Sequence, residues 1–180
     1  MKLSARIKKY LYWLVSIISL VIITLSIYQY LGGFDEIRVV QSSNNTYSVA
    51  GKEFKGRQRS DSLNLLFREI KSLILNKELN GDLCIINYPK SDDENEIHQF
   101  VGVLMSDDIA EIPTGLKVIE YESETTFKVG LGMHPLVMPN SDKVEEIITQ
   151  YAAGKGFELE NYSMEILFSD NSIMVEMFAR

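Results

Sequence analysis

The sequence predicts an α+β fold: duplicated β-α-β-β modules forming a curved antiparallel sheet with two helices on one face, preceded by one transmembrane helix. Three observations carry this. A single long apolar run stands near the N-terminus, and two later segments carry apolar residues at the i, i+3, i+4, i+7 spacing of a helix. Each of those two is flanked by short alternating segments in the same order.

The run covers residues 11–31, LYWLVSIISLVIITLSIYQYL, and contains no charged residue. About 20 helical residues cross a ~30 Å hydrocarbon layer with every backbone polar group paired internally, so its length suits a span. Tyr10, Tyr12 and Trp13 mark one end and Tyr28 and Tyr30 the other, where amphipathic rings sit at headgroup depth. A cleaved secretory signal would have a shorter apolar core and end in small residues, whereas this run leaves through Ser26, Ile27, Tyr28, Gln29 and Tyr30. Lys2, Arg6, Lys8 and Lys9 precede it; Phe34, Asp35 and Glu36 follow. That bias puts the N-terminus in the cytosol and the domain outside it, on a periplasmic or extracellular side. The expected layout is a basic cytosolic tail at 1–9, an anchor at 10–31 and one domain at 32–180.

About 150 residues after the anchor are enough for one real core. The chain has 18 basic and 25 acidic residues; less the four basic residues before the run, 14 face 25, a formal charge of −11 on the domain. Nucleic acid is an unsuitable partner for such a surface, because phosphate binding needs a basic face. The lone Cys84 lies in the apolar stretch Leu83, Cys84, Ile85, Ile86 and reads as a small core residue.

Residues 36–41 and 46–54 read as paired strands around a polar turn at 42–45. Ser60 and Asp61 offer a helix cap, after which Leu63, Leu66, Phe67, Ile70, Leu73 and Ile74 form an apolar stripe. Asn80 and Gly81 turn the chain into a strand at 82–88, and a charged loop at 89–95 leads to a strand at 97–105. The order then repeats about 80 residues on, too long a period for a solenoid. Strands are expected at 116–122 and 126–133. Asp142, Lys143, Val144 and Glu145 resemble a capping box before a stripe of Val144, Ile147, Ile148, Tyr151 and Ala152. Gly154 and Gly156 stop that helix. Strands at 162–169 and 172–178, joined by a tight turn at Asp170 and Asn171, close the chain.

The segments Ile112-Pro113-Thr114-Gly115-Leu116 and Tyr162-Ser163-Met164-Glu165-Ile166-Leu167-Phe168-Ser169-Asp170, with the first-half strand ending Asn87-Tyr88-Pro89 and with Val101-Gly102-Val103, resemble the GyrI-like small-molecule-binding superfamily (effector-binding, SOUL-related). The likeness extends over residues 36–179 and is nearest to the membrane-anchored branch that includes testis-expressed receptors for autophagy of the endoplasmic reticulum. It implies two pseudo-symmetric modules with helices on one side and a cleft on the other. In ligand-sensing members a late-strand Glu pairs with lipophilic cations between aromatic walls. Glu165 matches that position, and strand alternation puts Ser163, Glu165 and Leu167 on a face expected to point away from the helices. The open alternative is a solvated strand Glu. Tyr47, Phe100, Tyr121 and Leu167 complete the expected ligand-binding set, although Leu167 stands where the family usually has Tyr.

Some members hydrolyse small molecules with such a Glu and a Trp, but the one Trp here is Trp13, in the apolar run. No catalytic residue is assigned, and a hydrolase would need a second polar group within about 3 Å of Glu165. No cofactor and no metal site are expected: His98 and His134 are far apart without ligand-spaced Cys or carboxylates, and Asp92, Asp93, Glu94, Asn95 and Glu96 lack the Gly of a calcium loop. The expected function is a single-pass membrane-anchored module that takes up a small hydrophobic or cationic ligand in the cleft. The alternative is a membrane-tethered scaffold whose acidic surface meets a protein partner.

Overall fold

A computed structural model describes residues 5–89, 96–106 and 112–180, with side chains from residue 9 onward. Most of the expected calcium-like stretch and the side chains of Lys2, Arg6 and Lys8 lie outside the described residues. The elements in chain order are α1 (Ala5–Tyr30), β1 (Val39–Arg57), α2 (Asp61–Leu75), β2 (Gly81–Asn87), β3 (Glu96–Met105), β4 (Lys117–Leu131), α3 (Ser141–Gly154), β5 (Leu159–Leu167) and β6 (Ile173–Ala179). Two compact units result: residues Met1–Glu36 with Met133–Met138, and residues Ile37–Gly132 with Pro139–Arg180.

In the first unit, the stretch Lys9–Tyr30 of α1 is apolar and long enough to cross a membrane, with a mean hydropathy of 2.2. Its side chains are exposed around the whole circumference.

The second unit follows the order β-α-β-β twice, and its six antiparallel strands close into a barrel in the order β1-β3-β2-β5-β6-β4. The expected curved antiparallel sheet thus closes on itself. Two corrections explain it. The pairs of short strands expected at 36–54 and at 116–133 are single long strands, β1 and β4, which pair with each other from Val39↔Val129 to Gly51↔Lys117. The polar stretch at 42–45 is therefore not a hairpin. Asn44 takes a left-handed φ of +54° where the ladder skips from Ser43↔Thr125 to Asn45↔Ser123, and Asn45 Nδ2 donates to Thr126 Oγ1 at 2.8 Å. Turn-type residues here bend a continuous strand pair instead of reversing it. Strand β1 then passes from β4 to β3, pairing Val49↔Leu104 through Arg57↔Glu96.

Alternation along each strand divides the side chains. Val49, Cys84, Ile86, Phe100, Tyr121, Met164, Ile166 and Phe178 form one buried cluster inside the barrel. Ala50, Leu83, Val101 and Val103 face outward and are covered by Leu63, Leu66 and Ile70 of α2. On α3 the residues Val144, Ile148 and Ala152 are fully buried, and Phe127 meets Tyr151 and Phe157 edge to face. Both helices thus lie on the outer side. Ser60 caps α2, accepting from Leu63 N at 3.3 Å. The cap of α3 is Asn140, two residues before the expected capping box, and accepts from Lys143 N at 3.3 Å. Asn171, with φ at +66°, forms the tight turn between β5 and β6.

Candidate functional site inside the barrel

Three of the five sequence-predicted site residues meet. Tyr47 from β1, Phe100 from β3 and Tyr121 from β4 converge on the interior cluster. Phe178 stands at the centre of its rings, 6.2 Å from Tyr47, 6.1 Å from Tyr121 and 5.2 Å from Tyr162 between centroids. Tyr121 and Tyr162 are 5.5 Å apart. The hydroxyls of Tyr88 and Tyr121 are 2.9 Å apart. Because β2 and β4 stand opposite each other in the strand order, that bond spans the barrel.

The carboxylate among these rings is not the expected one. Glu176 of β6 shares an inward face with Met174 and Phe178 and is completely buried. Tyr47 Oη donates to its Oε2 at 2.8 Å. Its Oε1 has no hydrogen-bond partner among the described residues, and Lys128 Nζ, the cross-strand neighbour, lies 3.8 Å away. A buried carboxylate is costly to desolvate unless paired, so this oxygen is a place where an added cation gains more than it would in water. The signal for Glu176 was present in the sequence: it is the lone carboxylate in an otherwise apolar closing strand, two residues before Phe178.

Glu165 and Leu167 lie on the other side of the sheet. The alternation was read correctly but its face was reversed: Met164 and Ile166 pair with Ile86 and Cys84 inside the barrel, so their neighbours point outward with the helices. Leu167 packs on the α2 cluster. Glu165 accepts from Asn87 Nδ2 at 2.7 Å, and Asn87 Oδ1 accepts from Gln99 Nε2 at 2.6 Å, giving a polar line across three strands. It is neither a cleft carboxylate nor a freely solvated one.

A hollow of about 570 Å³ opens beside the barrel, lined by Tyr88, Tyr162, Asn87, Ser163, Glu160 and Met177 among others. Its volume falls in the roughly 300–1,000 Å³ range of small-molecule pockets. Tyr88 and Tyr162 belong both to this hollow and to the interior ring cluster. They stand where the hollow and the interior ring cluster meet.

Burial raises the Tyr47 hydroxyl well above its ordinary range, with the Glu176 hydrogen bond adding to the effect. Tyr121 is raised by burial and then by its bond to Tyr88, and Tyr162 by burial and then by the charge of Glu160. The Cys84 thiol is pushed up by burial and by the nearby Glu165 and Glu176, which makes it an unreactive core residue. A folded-state value above the unfolded one stabilises the fold fully below the unfolded value, near pH 10 for tyrosine, and the contribution is lost as pH rises beyond it. The melting temperature is therefore expected to stay level to about pH 9 and to fall from about pH 10. Tyr121→Phe should lower it overall but flatten the alkaline decline; an unchanged decline in that variant would refute the assignment. Among the described residues no group of three or more His, Cys, Asp or Glu is placed to hold a metal ion.

No family model and no curated protein matches the chain. Solved structures do. The chain is similar to a hydrolase from Listeria innocua at 10% identity, with a TM-score of 0.53, covering 85% of this chain and 98% of that one. It is similar to the C-terminal domain of EcmrR at 15% identity, with a TM-score of 0.53, covering 79% of this chain and 96% of that one. At such identities these likenesses show the fold alone.

Proposed function

We propose that this protein is a single-pass membrane-anchored binding module that takes up a small hydrophobic or cationic ligand, with Glu176 as the counter-charge and Tyr47, Tyr121, Tyr162 and Phe178 as walls. The observation that carries the reading is Glu176 itself: a fully buried carboxylate among aromatic rings, with one oxygen lacking a hydrogen bond among the described residues. Cations gain from aromatic faces as well as from a desolvated carboxylate. The ligand enters from the hollow by parting Tyr88 and Tyr162, which breaks the Tyr88–Tyr121 hydroxyl bond. The GyrI-like resemblance supports the same reading, as does the anchor preceding the domain for its membrane-bound branch. We also read the two β-α-β-β modules as a duplication related by a pseudo-dyad, since the strand order 1-3-2 of the first recurs as 4-6-5 in the second.

A thermal-shift series on residues 33–180 with tetraphenylphosphonium and neutral triphenylphosphine oxide tests the binding reading. A concentration-dependent rise in melting temperature with the cation, larger than with the neutral compound, is expected. No rise with either would make the protein-scaffold alternative, built on the acidic surface, the leading one.

The side of the membrane is read from the basic lead before α1 and the acidic flank after it. A periplasmic-type reporter fused after Arg180 is expected to be active and a cytosol-only reporter silent; strong activity of the cytosolic reporter would reverse the topology.

A further inference from the structure

The unit built around the membrane-length helix includes a segment distant in sequence, Met133–Met138. His134 N donates to Leu31 O at 3.0 Å, tying this loop to the residue that follows α1. Gly32 makes the approach possible: its φ is +82°, and a Cβ there would stand 3.0 Å from the Met133 Cβ. The loop is a tight turn in its own right. Val137 N and Met138 N both donate to His134 O, at 2.9 and 3.1 Å, and Leu136 N donates to His134 Nδ1 at 3.2 Å. This turn leaves Leu136 81% exposed. Nearby in the same unit, Phe34 is 62% and Tyr30 89% exposed, while Tyr28 meets Phe34 edge to face at 4.9 Å.

An aliphatic side chain this exposed, held by a short turn against the last residues of a span, sits where a bilayer's headgroup boundary falls. We infer that the Met133–Met138 turn is a second membrane contact, with Leu136 and Phe34 inserted at the boundary between headgroups and acyl chains beside the exit of α1. The occupant is lipid because the loop is continuous with the helix end: a residue hydrogen-bonded to Leu31 lies at the depth where Tyr28 and Tyr30 mark the interface. Burial of apolar side chains about 5–10 Å into that region is the way interfacial segments hold a membrane surface. The inference rests on the reading of α1 as a membrane anchor. It adds that the linker at 32–36 is pinned at its lipid end and is not a free tether.

The test uses the full chain in phosphatidylcholine vesicles, with or without lipids brominated on the acyl chain near the headgroup. Trp13 is the chain's one tryptophan, so its quenching in the unaltered protein reports insertion of α1. Trp13→Phe combined with Leu136→Trp then places the one tryptophan on the turn. A blue-shifted emission that loses intensity with the brominated lipid is expected. Phe34→Trp serves the same purpose should the Leu136 variant misfold. A quenched Trp13 with unquenched tryptophan at 136 or 34 would overturn this inference alone. A blue shift without bromine quenching would mean protein and not lipid covers the turn, and would overturn it too. An unquenched Trp13 would instead remove the anchor reading beneath it.

Discussion

Glu176→Gln is expected to weaken binding of tetraphenylphosphonium roughly 5- to 150-fold, on the order of 1 to 3 kcal/mol, while leaving neutral triphenylphosphine oxide nearly unchanged. The amide keeps the side chain's size and can still accept from Tyr47 Oη, which lies 2.8 Å from Oε2, so the packing around it is preserved. What changes is charge. In the unaltered protein Lys128 Nζ, partly exposed, lies 3.8 Å from Oε1. An incoming lipophilic cation competes with Lys128 for that oxygen and brings no desolvation cost comparable to an ammonium's, because its charge is already spread over apolar groups. Isothermal titration of both variants with both compounds reads the difference. The same fold-loss for the cationic and neutral compounds would mean that Glu176 shapes the barrel and does not recognise charge. Glu165→Gln is the matching control: its carboxylate is held by Asn87 on the outer face, so cation affinity should stay as it is.

That contrast shows which parts of the site were legible. Period-2 alternation put Ser163, Glu165 and Leu167 on one face and Met164, Ile166 and Phe168 on the other, and the structure keeps this division. Which face is inside is not a local property. It is decided by the pairing of β5 with β2, where Met164 and Ile166 meet Ile86 and Cys84, and by α2 covering Leu167. Tyr47, Phe100 and Tyr121 were recovered as a group because large aromatic residues on strands mark buried surface whichever face they take. Glu176 was passed over because a charged residue in a closing strand reads as solvent-facing until the partner strands are known. The helices were the most legible part: their stripes at 3.6 spacing bury Leu63, Leu66 and Ile70, and Val144, Ile148 and Ala152, as the pattern requires. The long strands were the least legible, since Ser42, Ser43, Asn44 and Asn45 are turn formers in isolation and only pairing with β4 on both sides of Asn44 carries the strand through them.

Strands β1 and β3 approach each other closely at a pair of glycines, and Gly102→Ala is expected to expose it. Gly102 of β3 stands opposite Gly51 of β1. A Cβ on Gly102 would lie 2.5 Å from the Ala50 carbonyl oxygen, 2.9 Å from its carbon and 2.9 Å from the Gly51 Cα. All three are backbone atoms, which no side-chain rotation can move aside, so the methyl group must push β1 and β3 apart. Overpacking of this kind typically costs about 1–3 kcal/mol. For a domain of this size each kcal/mol is worth about 2–4 °C, so a fall in melting temperature of roughly 2–12 °C is expected. Gly130→Ala on β4 is the comparison, because a Cβ there meets nothing within 4 Å. With no clash to offset the lost chain entropy of glycine, that variant should be neutral or more stable by up to about 1 kcal/mol. The two variants add the same methyl group to two strands of one barrel, and equal shifts would show that the β1–β3 approach does not limit closure. The effect reaches the proposed site as well: β1 carries Tyr47 and β3 carries Phe100, so parting these strands pulls both side chains from the interior cluster. Tetraphenylphosphonium affinity should therefore fall in Gly102→Ala, measured below its melting transition, and hold in Gly130→Ala.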